Sequence, residues 1–147
     1  MICAFTGHRP EHLPWGRDED DPRCRALKIL LRRTVQQVYD RGFRTFLCGM
    51  ARGTDIWAGE IVAGLWESFR NQYFAEAVLA CRAAGTAPEA ILTAMVPCPS
   101  QKDGWPAEEQ ARYDALLAAC SAVEVLEPVY TPGCMLRRNR AMVQRAS

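Results

Sequence analysis

Two short segments concentrate the residues best suited to chemistry, Thr6-Gly7-His8-Arg9-Pro10 and Gly49-Met50-Ala51-Arg52-Gly53-Thr54-Asp55. In the first, Gly7 lets the backbone turn tightly and approach a ligand. Arg9 offers a planar fork of donors for a phosphate or carboxylate. His8 can donate a hydrogen bond or move a proton near neutral pH. The bland alternative is a turn shaped by Gly7 and Pro10 with His8 and Arg9 solvated. The second segment leads directly into a helical pattern. A glycine-bearing turn there presents backbone N–H groups and the positive end of the helix dipole, a natural phosphate site to which Arg52 adds a charge. Asp55 suits ribose hydroxyls, although Thr54 or Asp55 can equally serve only to cap the helix. The pattern is neither a Walker loop nor a GxGxxG fingerprint.

Other candidates lie further along. Glu60, beside the small residues Ala58 and Gly59, is a possible acid or base near a ribose, or else surface. Gln101 and Trp105, in the loop Pro97–Trp105, can hold a base or ribose, the tryptophan by stacking or else packed under its loop. Arg138 and Asn139 stand near the start of a basic final helix, where Arg137, Arg138, Arg140 and Arg145 offer an alternative nucleic-acid face. His8 and His12 are four apart, but the intervening Pro10 argues against a helical metal-binding pair, and no metal or cofactor is expected. The seven cysteines are never closer than fourteen residues, which excludes CxxC knuckles. They read as reduced, buried small hydrophobes, with Cys98 and Cys134 the loop-proximal exceptions that a catalytic thiol would use.

The elements that must position these loops follow from periodicity. Residues 2–6, 44–48, 90–96 and 122–127 are short apolar runs that read as strands. Between them lie helical patterns. The first runs from Pro22 to Asp40, with Leu27, Leu30, Leu31, Thr34, Val35 and Val38 on one stripe and Gly42 closing it. The second runs from Thr54 to about Ala84, the third from Ala107 to Ala119, and the last starts near Met135. Trp66, Phe69, Tyr73 and Phe74 form an aromatic stripe on the second, either core or a face for a partner subunit. Regular alternation predicts an α/β fold, an open Rossmann-like parallel sheet of about four strands with helices on both faces, in one domain over residues 1–147. Ligands of such sheets sit beyond the carboxyl ends of the strands, near a switch in strand order. A net charge of +1 argues against nucleic acid as a partner, and the absence of a long apolar run or signal-type start predicts a soluble, cytoplasmic chain with no membrane partner.

Taken together, the segments resemble the YpsA-like branch of the SLOG superfamily. The resemblance is carried by Thr6-Gly7-His8-Arg9-Pro10, by Gly49-x-Ala51-Arg52-Gly53-x-Asp55 with Trp57, Ala58 and Glu60, and by Pro97-x-x-x-Gln101-x-x-x-Trp105. Tyr113 with Leu116-Leu117, and Tyr130-x-x-Gly133-Cys134-Met135-x-x-Arg138-Asn139-x-x-Met142-Val143, extend it along nearly the whole chain. It implies a Rossmann-like sheet and a nucleotide or nucleotide-derived ligand, such as an ADP-ribose derivative, held by a sensor or sequestering protein. The superfamily also includes phosphoribohydrolases. In an N-glycosidase of that kind Glu60 or Asp55 would stabilise the sugar cation while Arg9 and Arg52 hold phosphate. A third possibility is a protein or nucleic-acid interaction module. In the family a further strand and a Gly-Gly-Thr loop usually follow the last helix. They are absent from this sequence, which argues against catalysis and predicts an open sheet edge, covered by the aromatic helix or by a second copy in a homodimer.

Overall fold

The computed structural model describes residues 1–72, 83–85 and 91–147, with side chains described over 1–64, 83–85 and 92–147. Four strands, β1 (Ile2–Phe5), β2 (Thr45–Cys48), β3 (Ile91–Val96) and β4 (Ala122–Val125), form one parallel sheet in the order β1-β2-β3-β4. The helices are α1 (Pro22–Asp40), α2 (Thr54–Gln72), α3 (Ala107–Ala119) and α4 (Cys134–Arg145). This is the expected Rossmann-like open sheet. The aromatic series from Trp66 to Phe74, and most of the predicted extension of α2, lie outside the described side chains.

Local chemistry explains the boundaries. Pro22 opens α1, and the Asp21 carboxylate caps it by accepting the Arg23 N–H at 2.8 Å. Gly42 leaves the helix with φ +96°, a left-handed turn that an L side chain resists. The loop after β1 contains a 3-10 turn, Pro10–His12, that periodicity does not signal. The predicted stripe of α1 needs one correction. Leu30 is 61% exposed, and the exposed Thr34 returns its hydroxyl to the Leu30 carbonyl at 2.9 Å. The covered face is instead Cys24, Leu27, Leu31, Val35 and Val38, at i, i+3, i+4 spacing, of which Leu31, Val35 and Val38 pack into the core on the sheet.

Parallel neighbours joined in sequence by right-handed crossovers put their connecting helices on one face. Strand parity agrees. Phe46, Cys48, Leu92, Ala94 and Val96 pack with Val35, Ile56, Val62, Tyr113 and Leu116, the face of α1, α2 and α3. Leu47 and Met95 point the other way, to Met142 and Ala141 of α4 and to Ile2 and Ala4. Among the described residues helices therefore cover both faces, three on one and α4 on the other. The expected reversal of strand order is absent among the described strands. Among the described elements it is after β4 that the chain crosses to the other face, where α4 passes beneath the sheet to β1. There Ile2 and Ser147 exchange both backbone hydrogen bonds, at 3.1 and 3.0 Å. No helix among the described residues is long and apolar enough to cross a membrane.

Candidate functional site

The loops after β1, β2 and β3 converge over the carboxyl ends of the strands, and α4 reaches them from the opposite face. Their centre is a buried pair. Asp55 and Arg138 are each 3% exposed, and Arg138 Nη1 lies 4.0 Å from Asp55 Oδ2. Arg138 also donates to the Gly49 carbonyl oxygen through Nη1 and, through Nε, to Asn139 Oδ1 at 2.7 Å. Gln101, itself buried, donates to the same Gly49 oxygen at 3.0 Å and accepts the Tyr113 hydroxyl at 3.1 Å. The backbone N–H groups of Ala51 and Gly7 lie close enough to the Asp55 carboxylate to favour its charge, so one carboxylate faces both the first loop and the second. Burial outweighs the favourable Arg138, Ala51, Gly7 and Arg9 interactions and pushes the Asp55 carboxyl up to about 6. Burial likewise lowers the Arg138 guanidinium from its usual range.

The glycines serve this closure. A Cβ on Gly7 would lie 2.6 Å from Thr54 Cβ, and one on Gly53, which has φ +87°, 2.7 Å from the His8 carbonyl oxygen. Thr54 donates to that oxygen from its amide at 3.3 Å and its hydroxyl at 3.2 Å, so part of the α2 N-terminus is occupied by the first loop. A Cβ on Gly49 would sit 2.5 Å from Arg138 Cζ and 2.6 Å from Asp55 Oδ2. Gly49→Ala is therefore expected to cost about 1–3 kcal/mol in urea unfolding through overpacking. A loss within error of zero would mean that Arg138 can withdraw freely. Met50, fully buried at φ 60°, holds a left-handed conformation that bulky residues avoid, and sequence reasoning did not flag it.

The predicted site residues thus separate into groups. Thr6, Gly7, His8 and Arg9 are exposed at the strand ends. Asp55, Gln101, Arg138 and Gly49 are internal and hold the loops together. Asp55, Gln101 and Arg138, expected as ligand contacts, each engage protein groups in this structure. Asn139 is half-buried, and its amide N–H groups have no partner among the described residues.

Arg52 turns away toward the helical face, where it pairs with Glu11 at 2.7 Å and Glu109 at 3.1 Å and lies over the Trp105 ring at 5.5 Å. Trp105 packs its ring edge-on to Tyr113, with centroids 5.5 Å apart. Glu60 grips Arg112 through both oxygens, at 2.5 and 2.7 Å, and Arg112 also binds Glu19. Burial works against the Glu19 charge, but Arg112 and Lys28 hold its carboxyl below the usual range. Arg52, Trp105, Arg112, Glu19 and Glu109 line a cleft beside Trp57. Sequence reasoning missed Glu11, Glu19, Glu109 and Arg112 because no motif contains them.

Of the three arginines expected at the site, Arg9, Arg52 and Arg138, only the Arg9 side chain has no hydrogen bond or ion pair among the described residues. It is exposed, yet close enough to interact with Asp55 and Arg138 electrostatically. The six described cysteines are unpaired, and burial raises the thiols of Cys3, Cys24, Cys48 and Cys120. Cys98 and Cys134 are each 1% exposed.

Comparison with known proteins adds two findings. A family model described as the YspA SLOG family matches residues 3–80, which takes in both glycine-bearing loops. A UPF0398 protein of Bacillus licheniformis is 24% identical over 147 residues, an alignment that covers 99% of this chain and 70% of the relative.

Proposed function

This chain belongs to the YspA SLOG family, and on that premise we propose that it binds an anionic, nucleotide-derived ligand without transforming it, as a sensor or sequestering protein. The carrying observation is Arg9, a solvent-facing cation with no protein partner among the described residues, set on a loop that Asp55 and Thr54 hold rigidly against the strand ends. A loop already held in place adds little backbone-ordering cost when its guanidinium grips a phosphate, leaving chiefly the entropy of the side chain to be lost. The Asn139 amide, beside Arg138, and the N-terminus of α4, where Gly133 supplies no side-chain cap, offer further donors. An ADP-ribose derivative fits this chemistry through its phosphates.

Calorimetry against nucleoside mono-, di- and triphosphates and ADP-ribose tests the reading. At least one is expected to bind tighter than millimolar, and Arg9→Ala is expected to weaken it about 10- to 100-fold, the worth of a charge-assisted hydrogen bond. No binding across the panel sinks the proposal.

The hydrolase alternative has less support, because the Asp55 carboxylate is buried and the Glu60 carboxylate is tied to Arg112. Base release from a nucleoside monophosphate by the wild-type protein, lost in Glu60→Ala, would restore it. A basic interaction face on α4 is also weakly supported, since Arg137 pairs with Glu127 at 2.6 Å and Arg145 with Glu124 at 2.5 Å.

A further inference from the structure

We infer that β4 is the contact strand of a two-fold homodimer in which two copies of the sheet join edge to edge. The two outer strands of the described sheet differ. β1 is half-buried, with Ser147 hydrogen-bonded to its first residue and α4 packed against it. All four residues of β4 are exposed.

Val123 and Val125 register with Ala94 and Val96 of β3, so they project to the face that carries α1, α2 and α3. Ala94 and Val96 are buried there, yet Val123 and Val125 remain 46% and 50% exposed, because the helical layer stops short of the last strand. Val129 and Tyr130, at 64% and 62%, continue the apolar surface past the strand end.

An exposed strand edge is a template for another strand, and proteins usually blunt it with lysine, proline or a bulge. Ala122-Val123-Glu124-Val125 contains neither lysine nor proline. Its one charge, Glu124, is neutralised by Arg145 on the opposite face. With a formal net charge of +1, two copies carry little mutual repulsion.

Pleat parity then selects the register. In a two-fold antiparallel pair, opposed residues project to the same face, so Val123 meets the partner's Val125, the partner's Val123 or the partner's Glu127, and the last would press an apolar side chain against a carboxylate already engaged by Arg137. The first choice sets Glu124 against the partner's Glu124, a like-charge pair. The second sets Glu124 against the partner's Ala122 and places the valines on the axis. The inferred axis therefore passes through Val123, and the product is a continuous eight-stranded sheet.

A four-residue edge with Val129 and Tyr130 is small beside the roughly 800 Å² per partner of a standard interface, so the dimer is a weak one. Sedimentation of the full chain over about 1–100 μM, the range suited to weak interfaces, is expected to show the average mass rising from that of one chain toward that of two. Val123→Lys is expected to remain monomeric throughout while keeping wild-type helicity and melting temperature. Under mild oxidation Val123→Cys is expected to yield a disulfide-linked dimer in much greater amount than Val125→Cys or wild type, and this arm stays decisive if Val123→Lys misfolds. A wild type monomeric throughout, a dimer indifferent to Val123→Lys, or crosslinking no greater at Val123 than at Val125 overturns the inference.

Discussion

Arg138→Ala is expected to destabilise the protein by about 3–5 kcal/mol, the usual consequence of leaving one member of a buried ion pair alone. Three losses coincide. The Asp55 carboxylate, 3% exposed, loses the cation nearest to it. The Gly49 carbonyl loses one of its two donors and keeps only Gln101. The space vacated by the guanidinium lies where the second loop meets α4, so the loops after β1 and β2 lose their support together. For a chain of this size the thermal midpoint should fall by about 10 °C. The double variant Asp55→Asn/Arg138→Ala separates charge from packing: it is expected to recover a substantial part of the loss, since the orphaned charge is gone. A midpoint for Arg138→Ala within about 2–3 °C of wild type, the effect of a single kcal/mol, would show that the pair contributes little.

The second large effect is a pH dependence centred on Asp55. Its carboxyl is pushed up to about 6 in the folded protein, above the roughly 3.9 of an aspartate in an unfolded chain. The folded state therefore holds this proton more tightly, and stability falls as pH rises between those two values. Above about 6 the cost of burying the charge is fully present. It is relieved as pH falls below 6, and none of it remains below the unfolded value.

Asp55→Asn removes the titration. The stability of wild type relative to Asp55→Asn should then be greater at pH 4.5 than at pH 7.5, by roughly 2 kcal/mol. Urea unfolding of both proteins at the two values measures it, and the other carboxylates cancel in the difference. A gap independent of pH would mean that Asp55 stays ionised throughout, its charge fully compensated by Arg138 and the N–H groups of Ala51 and Gly7. The same logic ties the two predictions together. In Arg138→Ala the carboxyl should titrate higher still, so that variant's deficit should shrink in acid.

Much of the architecture was legible because its signals are local. Apolar runs ending at Gly7 and Gly49, the Pro22 helix start and the Gly42 stop located strands and helices to within a few residues, and the parallel sheet followed from their alternation. The two loops were equally legible as segments, and the match to the YspA SLOG family falls on the same part of the chain. The roles within them were harder to read. Arg9 and Arg52 look alike as arginines in glycine-bearing loops. Arg52 is claimed by Glu11 and by Glu109, the latter fifty-seven residues away, while Arg9 has no such partner among the described residues. Glu60 resembles a catalytic acid until Arg112 closes on it from α3.

The sequence by itself therefore determined the element types, their order and the loops in which chemistry belongs, since periodicity and turn residues act over a few positions. Only the tertiary structure decided which polar groups remain available. That depends on where the chain crosses the sheet: α4 passes to the opposite face and returns Arg138 to Asp55 and Gly49, so that Asp55, Gln101 and Arg138 engage protein groups while Arg9 stays outside. It also decided that β4 is an uncovered edge, because the extent of a helical layer over a sheet depends on the packing of whole elements and not on the pattern of any one of them.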